Sequence, residues 1–260
     1  MKEIVAIIPA RMGSTRFPGK PMAEIHGVPM VGHVYFRTRM CALLQNTYVA
    51  TCDQEIYDYI ISIDGKAIMT SNTHERCSDR TAEAMLKVES ETGRKVDIVV
   101  MVQGDEPMVT PVMIEAAVNP MLGDPFIQVV NLMARMTTVD EFEDPNEVKV
   151  VVDLNNRALY FSREPIPSRR KGVKDVPMLK QVCIIPFRRD FLLEFNSLPE
   201  TPLERIESVD MMRVIEHGEH VYMVITDAET LSVDTPEDHE RVVDLMKEDA
   251  LINEYKATAV

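Results

Sequence analysis

Residues Ile4 to Pro9 form an unbroken apolar run that leads into Ala10-Arg11-Met-Gly13-Ser14-Thr-Arg16-Phe-Pro-Gly19-Lys20-Pro21. An apolar run this short, bounded by glycine and proline, reads as a strand buried on both faces, as in parallel sheets. The segment after it holds two glycines, two hydroxyls and three cations within ten positions. Glycine lets backbone N–H groups approach an anion closely, and fixed cations around it suit a polyphosphate. A Walker A loop is excluded: five residues separate Gly13 from Gly19 instead of four, and Pro21 stands where the Ser or Thr should be. A merely structural turn would explain the glycines but not Arg11, Arg16 and Lys20. The loop implies a phosphate-bearing substrate, with a nucleotide the first choice.

The remaining composition narrows the class. A chain of 260 residues suffices for one large domain with a real core, and 45% hydrophobic with 27% charged residues is ordinary for a globular protein. No apolar run approaches a membrane span and the start does not read as a signal peptide, so a cytoplasmic location is expected. The four cysteines show no C-x-x-C pair or metal-ligand spacing. A formal net charge of −14 argues against a general basic surface for nucleic acid. An anionic substrate must then be held by a local basic cluster, helped by a divalent cation.

Strand-like and helical patterns alternate from the start, giving βαβ order early and strand pairs late. The pattern predicts an α/β fold, a mostly parallel sheet with a mixed extension. Helices are expected from Pro29, around Ile56 to Ile60, over Ser78–Glu89, from Thr110-Pro111 through Val118, over Leu203–His217 and over Pro236–Glu248. Strands are expected at Tyr48–Thr51, Ala67–Thr70, Asp97–Gln103, Phe126–Met133, Leu179–Phe187 and His220–Thr226, with Val148–Val152 and Ala158–Phe161 as a hairpin. Residues 1–250 are expected as one domain and 251–260 as a C-terminal tail. The basic stretch Pro167 to Lys174 reads as a loop.

Gln103-Gly104-Asp105-Glu106-Pro107 follows the strongest strand, so Asp105 should project beyond a carboxyl end, where α/β sheets bind ligands. A carboxylate there can hold Mg²⁺ against a phosphate, although a plain turn would use the same residues. In Val233-Asp234-Thr235-Pro236-Glu237-Asp238, Thr235, Pro236 and Asp238 are explained by helix capping. Asp234 is left free to act as a ligand. Two such carboxylates would repel unless a cation lay between them. Arg80 and Arg163 are candidate anion binders, and His74 is the one histidine in a suspicious loop. No serine has a nucleophile-elbow context, which favours direct displacement at phosphorus over covalent catalysis.

Together these motifs resemble the bacterial CMP-sugar-acid synthetases, in particular the 3-deoxy-manno-octulosonate (KDO) cytidylyltransferases. The markers are Ile8-Pro-Ala-Arg11…Ser14-Thr-Arg16…Pro18-Gly-Lys-Pro21, Gln103-Gly-Asp-Glu-Pro107, Tyr160-Phe-Ser-Arg163…Ile166-Pro167 and Val233-Asp-Thr-Pro-Glu-Asp238. The resemblance covers nearly the whole chain. It implies a nucleotide-diphospho-sugar transferase-like domain, a homodimer, and CTP bound by Ala10, Arg11, Gly13, Ser14, Arg16, Lys20, His74, Arg80 and Gln103. It also implies Asp105 and Asp234 as Mg²⁺ ligands, with Arg11 and Lys20 completing the catalytic set. A sugar acid's anomeric hydroxyl would attack the α-phosphorus, and pyrophosphate would leave. The acceptor would lie against Arg163, Gln181, Ile185, Asp210 and Met211.

The chain departs from that pattern where the acceptor should bind. The family's usual His-Ile-Gly-Ile-Tyr is here Gln181-Val-Cys183-Ile-Ile185, and its usual Glu-Gln is Asp210-Met211. Its His-x-Ser-Gly-Thr-Asp-Arg is His74-Glu-Arg76-Cys77-Ser-Asp-Arg80. Losing polar groups leaves sugar hydroxyls unpaired at roughly 1–3 kcal/mol each. A modified or smaller sugar acid is therefore expected. The alternatives are a phosphonate or other compact acid drawn to Lys180, Arg169, Arg170 and Lys171, and a non-catalytic nucleotide-sensing protein. Repacking of Ile185 and Met211 into the core is the lesser alternative for those two.

Overall fold

The computed structural model describes residues 2–14, 16–173 and 175–258, so Thr15 of the first loop and Lys174 of the basic stretch lie outside the described residues. The chain runs β1 (Ile4–Pro9), a short ribbon β2 (Glu24–Ile25) and β3 (Val28–Pro29), α1 (Met30–Arg39), β4 (Asn46–Thr51), α2 (Gln54–Ser62) and β5 (Ala67–Met69). It continues through α3 (Cys77–Thr92), β6 (Ile98–Val102), α4 (Pro111–Gly123), β7 (Val130–Arg135), α5 (Val139–Glu143), β8 (Lys149–Val152) and β9 (Ala158–Ser162). The last part holds β10 (Leu179–Val182), β11 (Ile184–Arg188), α6 (Arg189–Ser197), α7 (Pro202–Glu207), α8 (Met211–Glu216), β12 (Tyr222–Thr226), α9 (Pro236–Leu245) and α10 (Ile252–Tyr255).

Two five-stranded sheets result. The first has the order β11-β6-β1-β4-β5, parallel except for β11, and the second, β12-β7-β10-β8-β9, is mixed. This is the expected α/β class. Successive residues of β1 point into different cores: Ile4, Ala6 and Ile8 into one, Val5 and Ile7 into the other. That is why the opening run is apolar at every position and not at alternate ones. Among the described residues no helix is long and apolar enough to cross a membrane.

Two expected elements are broken, and both breaks shape the site. Leu179–Phe187 is not one strand. β10 pairs with β7 and β8 in the second sheet, and after Cys183 β11 pairs with β6 in the first. Leu203–His217 is likewise two short helices, parted at Ser208, which has a left-handed φ of 53°. The strand expected from Phe126 starts only at Val130, with Phe126 exposed. Conversely α4 runs through Pro120 to Gly123, started by Thr110, which accepts from the Met113 amide.

Within the stretch expected as a tail, the short helix Ile252–Tyr255 is anchored. Ile252 and Tyr255 are buried, and Tyr255 stacks on Phe36 with ring centroids 5.2 Å apart. The Tyr255 hydroxyl accepts from Arg37 Nε at 3.0 Å and lies 2.6 Å from His33 Nδ1, while His33 Nε2 lies 2.8 Å from the Ile25 carbonyl. A neutral imidazole protonated on Nε2 satisfies both contacts. Burial pushes the His33 pKa from 6.5 down to about 4. Between these values the unfolded chain binds the extra proton, so stability rises with pH and is lost as acid is added. The loss should approach roughly 3 kcal/mol at the acid end. Unfolding free energies measured against pH should fall more steeply for wild type than for His33→Asn, and equal slopes would refute this origin.

Candidate active site

The loop after β1 is built before any ligand arrives. Ala10 N–H donates to the Ala50 carbonyl at 3.0 Å, and Met12 N–H donates to Asp53 Oδ2 at 2.8 Å. Ser14 Oγ accepts from the Phe17 amide at 3.2 Å. Gly19 has φ +74°, which turns the chain so that Lys20 points back across the sheet ends. In the turn after the neighbouring strand β6, Gly104 lies against Pro9, where a Cβ would come within 3.0 Å of the Pro9 carbonyl oxygen. Only glycine lets the loops after β1 and β6 close this tightly.

Lys20 holds the centre. Its ammonium donates to Asp105 Oδ2 at 2.8 Å and to the Val233 carbonyl at 2.7 Å, with Asp234 Oδ1 3.6 Å away. Burial alone would lower its pKa, but Asp105 and Asp234 outweigh that and hold it above its ordinary value. Arg16 donates to Asp234 Oδ1 at 2.8 Å and to Asn146 Oδ1 at 2.6 Å. The two carboxylates predicted to need a cation between them thus have one from the protein itself. Asp105 Oδ1 is buried and has no hydrogen-bond partner. Among the described residues no group of three or more His, Cys, Asp or Glu side chains could hold a metal. Mg²⁺ needs only one or two carboxylates when substrate phosphates supply the rest, so the Asp105–Asp234 pair and its orphaned oxygen fit that ion.

Three cavities lie at or beside this centre. The first, about 310 Å³, is lined by Ala10, Arg11, Gly13, Ser14, Arg16 and Lys20, and by Cys77, Gln103, Asp105 and Asp234 across from them. A small one of about 40 Å³ adjoins it, with His74 and Arg80 in its wall. Arg80 is almost fully buried; its Nη1 donates to Thr70 Oγ1 and to the Ser71 carbonyl, and its Nη2 has no partner. His74 is held by Glu83, whose carboxyl sits at about 2: burial would raise it, but bonds from Lys87, the Ser71 amide and His74 outweigh that. The third cavity, about 210 Å³, brings Arg163, Gln181 and Asp210 to the other side of Asp105 and Asp234. Burial raises the Asp210 carboxyl, which accepts from Ser78 Oγ at 3.2 Å.

Two residues expected against the acceptor are not there. Ile185 and Met211 are fully buried in the core and absent from the lining of all three cavities. The chain changes sheets at Cys183, which turns Ile185 inward, and the break at Ser208 presents Asp210 while Met211 packs inside. Lys180 is not a free cation either: it is buried and paired with Glu141 at 2.7 Å and Glu147 at 3.0 Å. Missed from the sequence were Asn146, which ties down Arg16, and Glu106. Glu106 Oε1 accepts from the Cys183 amide and Oε2 from Thr230 Oγ1, and burial lifts its carboxyl to about 7. The turn signature Asp144-Pro-Asn146 was the only hint of the former.

The family model described as cytidylyltransferase matches residues 5–223. The chain belongs to the cytidylyltransferase family. A 3-deoxy-manno-octulosonate cytidylyltransferase from Trichlorobacter lovleyi is 43% identical over 256 residues, spanning 95% of this chain and 99% of the relative. One from Geobacter metallireducens is 42% identical over 252 residues, spanning 93% and 97%. A solved structure of CMP:2-keto-3-deoxy-manno-octonic acid synthetase complexed with CTP superposes with a TM-score of 0.87. It is 40% identical and spans 95% of this chain and all of that one. The resemblance read from the motifs is therefore a family membership, and this cytidylyltransferase is a CTP-dependent nucleotidyltransferase.

Proposed function

We propose that this cytidylyltransferase transfers CMP from CTP to a KDO-like sugar acid and releases pyrophosphate. The observation that carries the reading is Lys20 bridging Asp105 and Asp234 at the carboxyl ends of the strands, beside Arg11 and Arg16. Arg11, Arg16 and Lys20 hold the triphosphate and neutralise the departing pyrophosphate. The unpartnered Nη2 of Arg80 reads the acceptor edge of the pyrimidine in the small cavity. Arg163 receives the acceptor's carboxylate, and Gln181 and Asp210 orient its hydroxyls. Asp105 and Asp234 would hold Mg²⁺, which when bound supplies charge neutralisation at the phosphates. The acceptor's anomeric hydroxyl gives up its proton to solvent, and its oxygen bonds the α-phosphorus in line with the α–β bridging oxygen, whose bond breaks with the electron pair leaving on pyrophosphate.

Because Ile185 and Met211 are core residues, the departures from the family's usual motifs that line this cavity are Gln181, Cys183 and the shorter Asp210. The test is pyrophosphate release with CTP and Mg²⁺, comparing KDO with a pool of other sugar acids and phosphonates. Turnover with KDO supports the reading. Turnover only with the pool would move the acceptor to another acid, and none with any would overturn it. Lys20→Met should raise the KM for CTP about tenfold or more and the acceptor KM far less. Equal rises in steady-state kinetics would remove Lys20 from the triphosphate site.

A further inference from the structure

Lys149 opens β8 and is fully buried. Its ammonium is answered by carbonyls: it donates to Asp144 O at 2.7 Å, Glu147 O at 2.8 Å and Arg163 O at 2.6 Å. Three donors meet three acceptors, so the group is saturated. Burying an ammonium is costly, and the cost here fastens two loops at once. One is the turn carrying Asn146 and Glu147; the other leaves β9 with Arg163. All three residues line the 210 Å³ cavity.

The clamp extends outward from there. Arg163 Nη1 donates to the Pro145 carbonyl at 2.9 Å and Nε to the Glu207 carbonyl at 2.7 Å, so its guanidinium is aimed by the same turn. Asn146 accepts from Arg16 at 2.6 Å, which joins the turn to the triphosphate loop. Lys149 itself lines none of the three cavities of the site.

We propose that Lys149 is a positioning residue for the acceptor, a built-in cation that fixes the backbone of Asp144–Glu147 and of Arg163. This rests on reading the third cavity as the acceptor site. Lys149→Met keeps the stem and removes the three donors. The acceptor KM should then rise about tenfold or more. The CTP dissociation constant from calorimetry should change less than about threefold, because Arg16 keeps Asp234. Lys149→Gln, with two N–H donors, should recover part of the acceptor affinity.

An unchanged acceptor KM in folded Lys149→Met would overturn the proposal, as would CTP and acceptor affinities falling in parallel. Should that variant fail to fold, hydrogen exchange on the wild-type chain decides: the Glu147 and Glu164 amides should exchange as slowly as β8. Exchange at the rate of an exposed loop would overturn it. Wild-type protein that turns over no sugar acid would overturn the functional reading and this one with it. Wild-type turnover beside unaffected Lys149→Met kinetics would overturn this one alone.

Discussion

Asp105→Asn should cut turnover by roughly a hundredfold to a thousandfold and leave the melting temperature nearly unchanged. The substitution keeps the shape of the side chain, and the Asp105 carbonyl still accepts from the Val233 amide at 2.9 Å. What it removes is charge: Oδ2 would no longer balance Lys20, and the buried, partnerless Oδ1 would no longer be an anion. An amide presented to the Lys20 ammonium can also turn its NH₂ toward a cation. The check is kcat at saturating CTP and acceptor beside a thermal melt. A folded variant within about tenfold of wild type would fall short of what an electrostatic group in a reaction centre contributes, and would sink the two-carboxylate reading.

The largest expected loss of stability lies elsewhere, at Arg213→Met. Arg213 binds Glu204 in a fork, Nε to Oε2 at 2.8 Å and Nη2 to Oε1 at 2.6 Å, and Glu204 is 0% exposed. The guanidinium also lies 4.8 Å from the centre of the Phe195 ring. Removing Arg213 leaves the buried carboxylate with only the more distant Arg76, 3.8 Å away, as a cation, which costs about 3–5 kcal/mol, or roughly 10 °C for a domain of this size. Replacing both members with apolar residues should restore much of it. The pair spans α7 and α8, so it fixes the Ser208–Asp210 turn that faces the third cavity. The folded fraction of Arg213→Met should therefore show a raised acceptor KM. A melt shifted by no more than about 2 °C would mean that the pair contributes no more than an exposed one.

Local chemistry made the first loop legible: glycine, hydroxyl and cation in one stretch have few other uses, and Arg11, Arg16 and Lys20 do converge. Asp105 was legible because a strong strand points at it, and Asp234 because capping explains its neighbours and leaves it over. Asp238 accepts from the Thr235 amide at 3.0 Å, as that capping pattern predicts. Ile185 and Met211 were misplaced for one shared reason. An unbroken strand or helix carries a register forward, and neither Cys183 nor Ser208 announces a break in composition. The breaks come from tertiary pairing: two sheets compete for one run, and a left-handed serine divides one helical pattern. Lys149 and Asn146 were invisible because their partners are backbone atoms or residues more than a hundred positions away.

The passage from β10 to β11 at Cys183 also has a mechanical meaning. Clefts between two layers commonly open by rotating one layer against the other about a slack connection. Here the connection is taut: the Cys183 carbonyl accepts from Gln103 at 3.0 Å, and its amide donates to Glu106 at 3.1 Å. Rotation would have to break both bonds and strip a strand from each sheet. The floor under the cleft is thus a rivet, and the two sheets hold the opening of the cleft at one width.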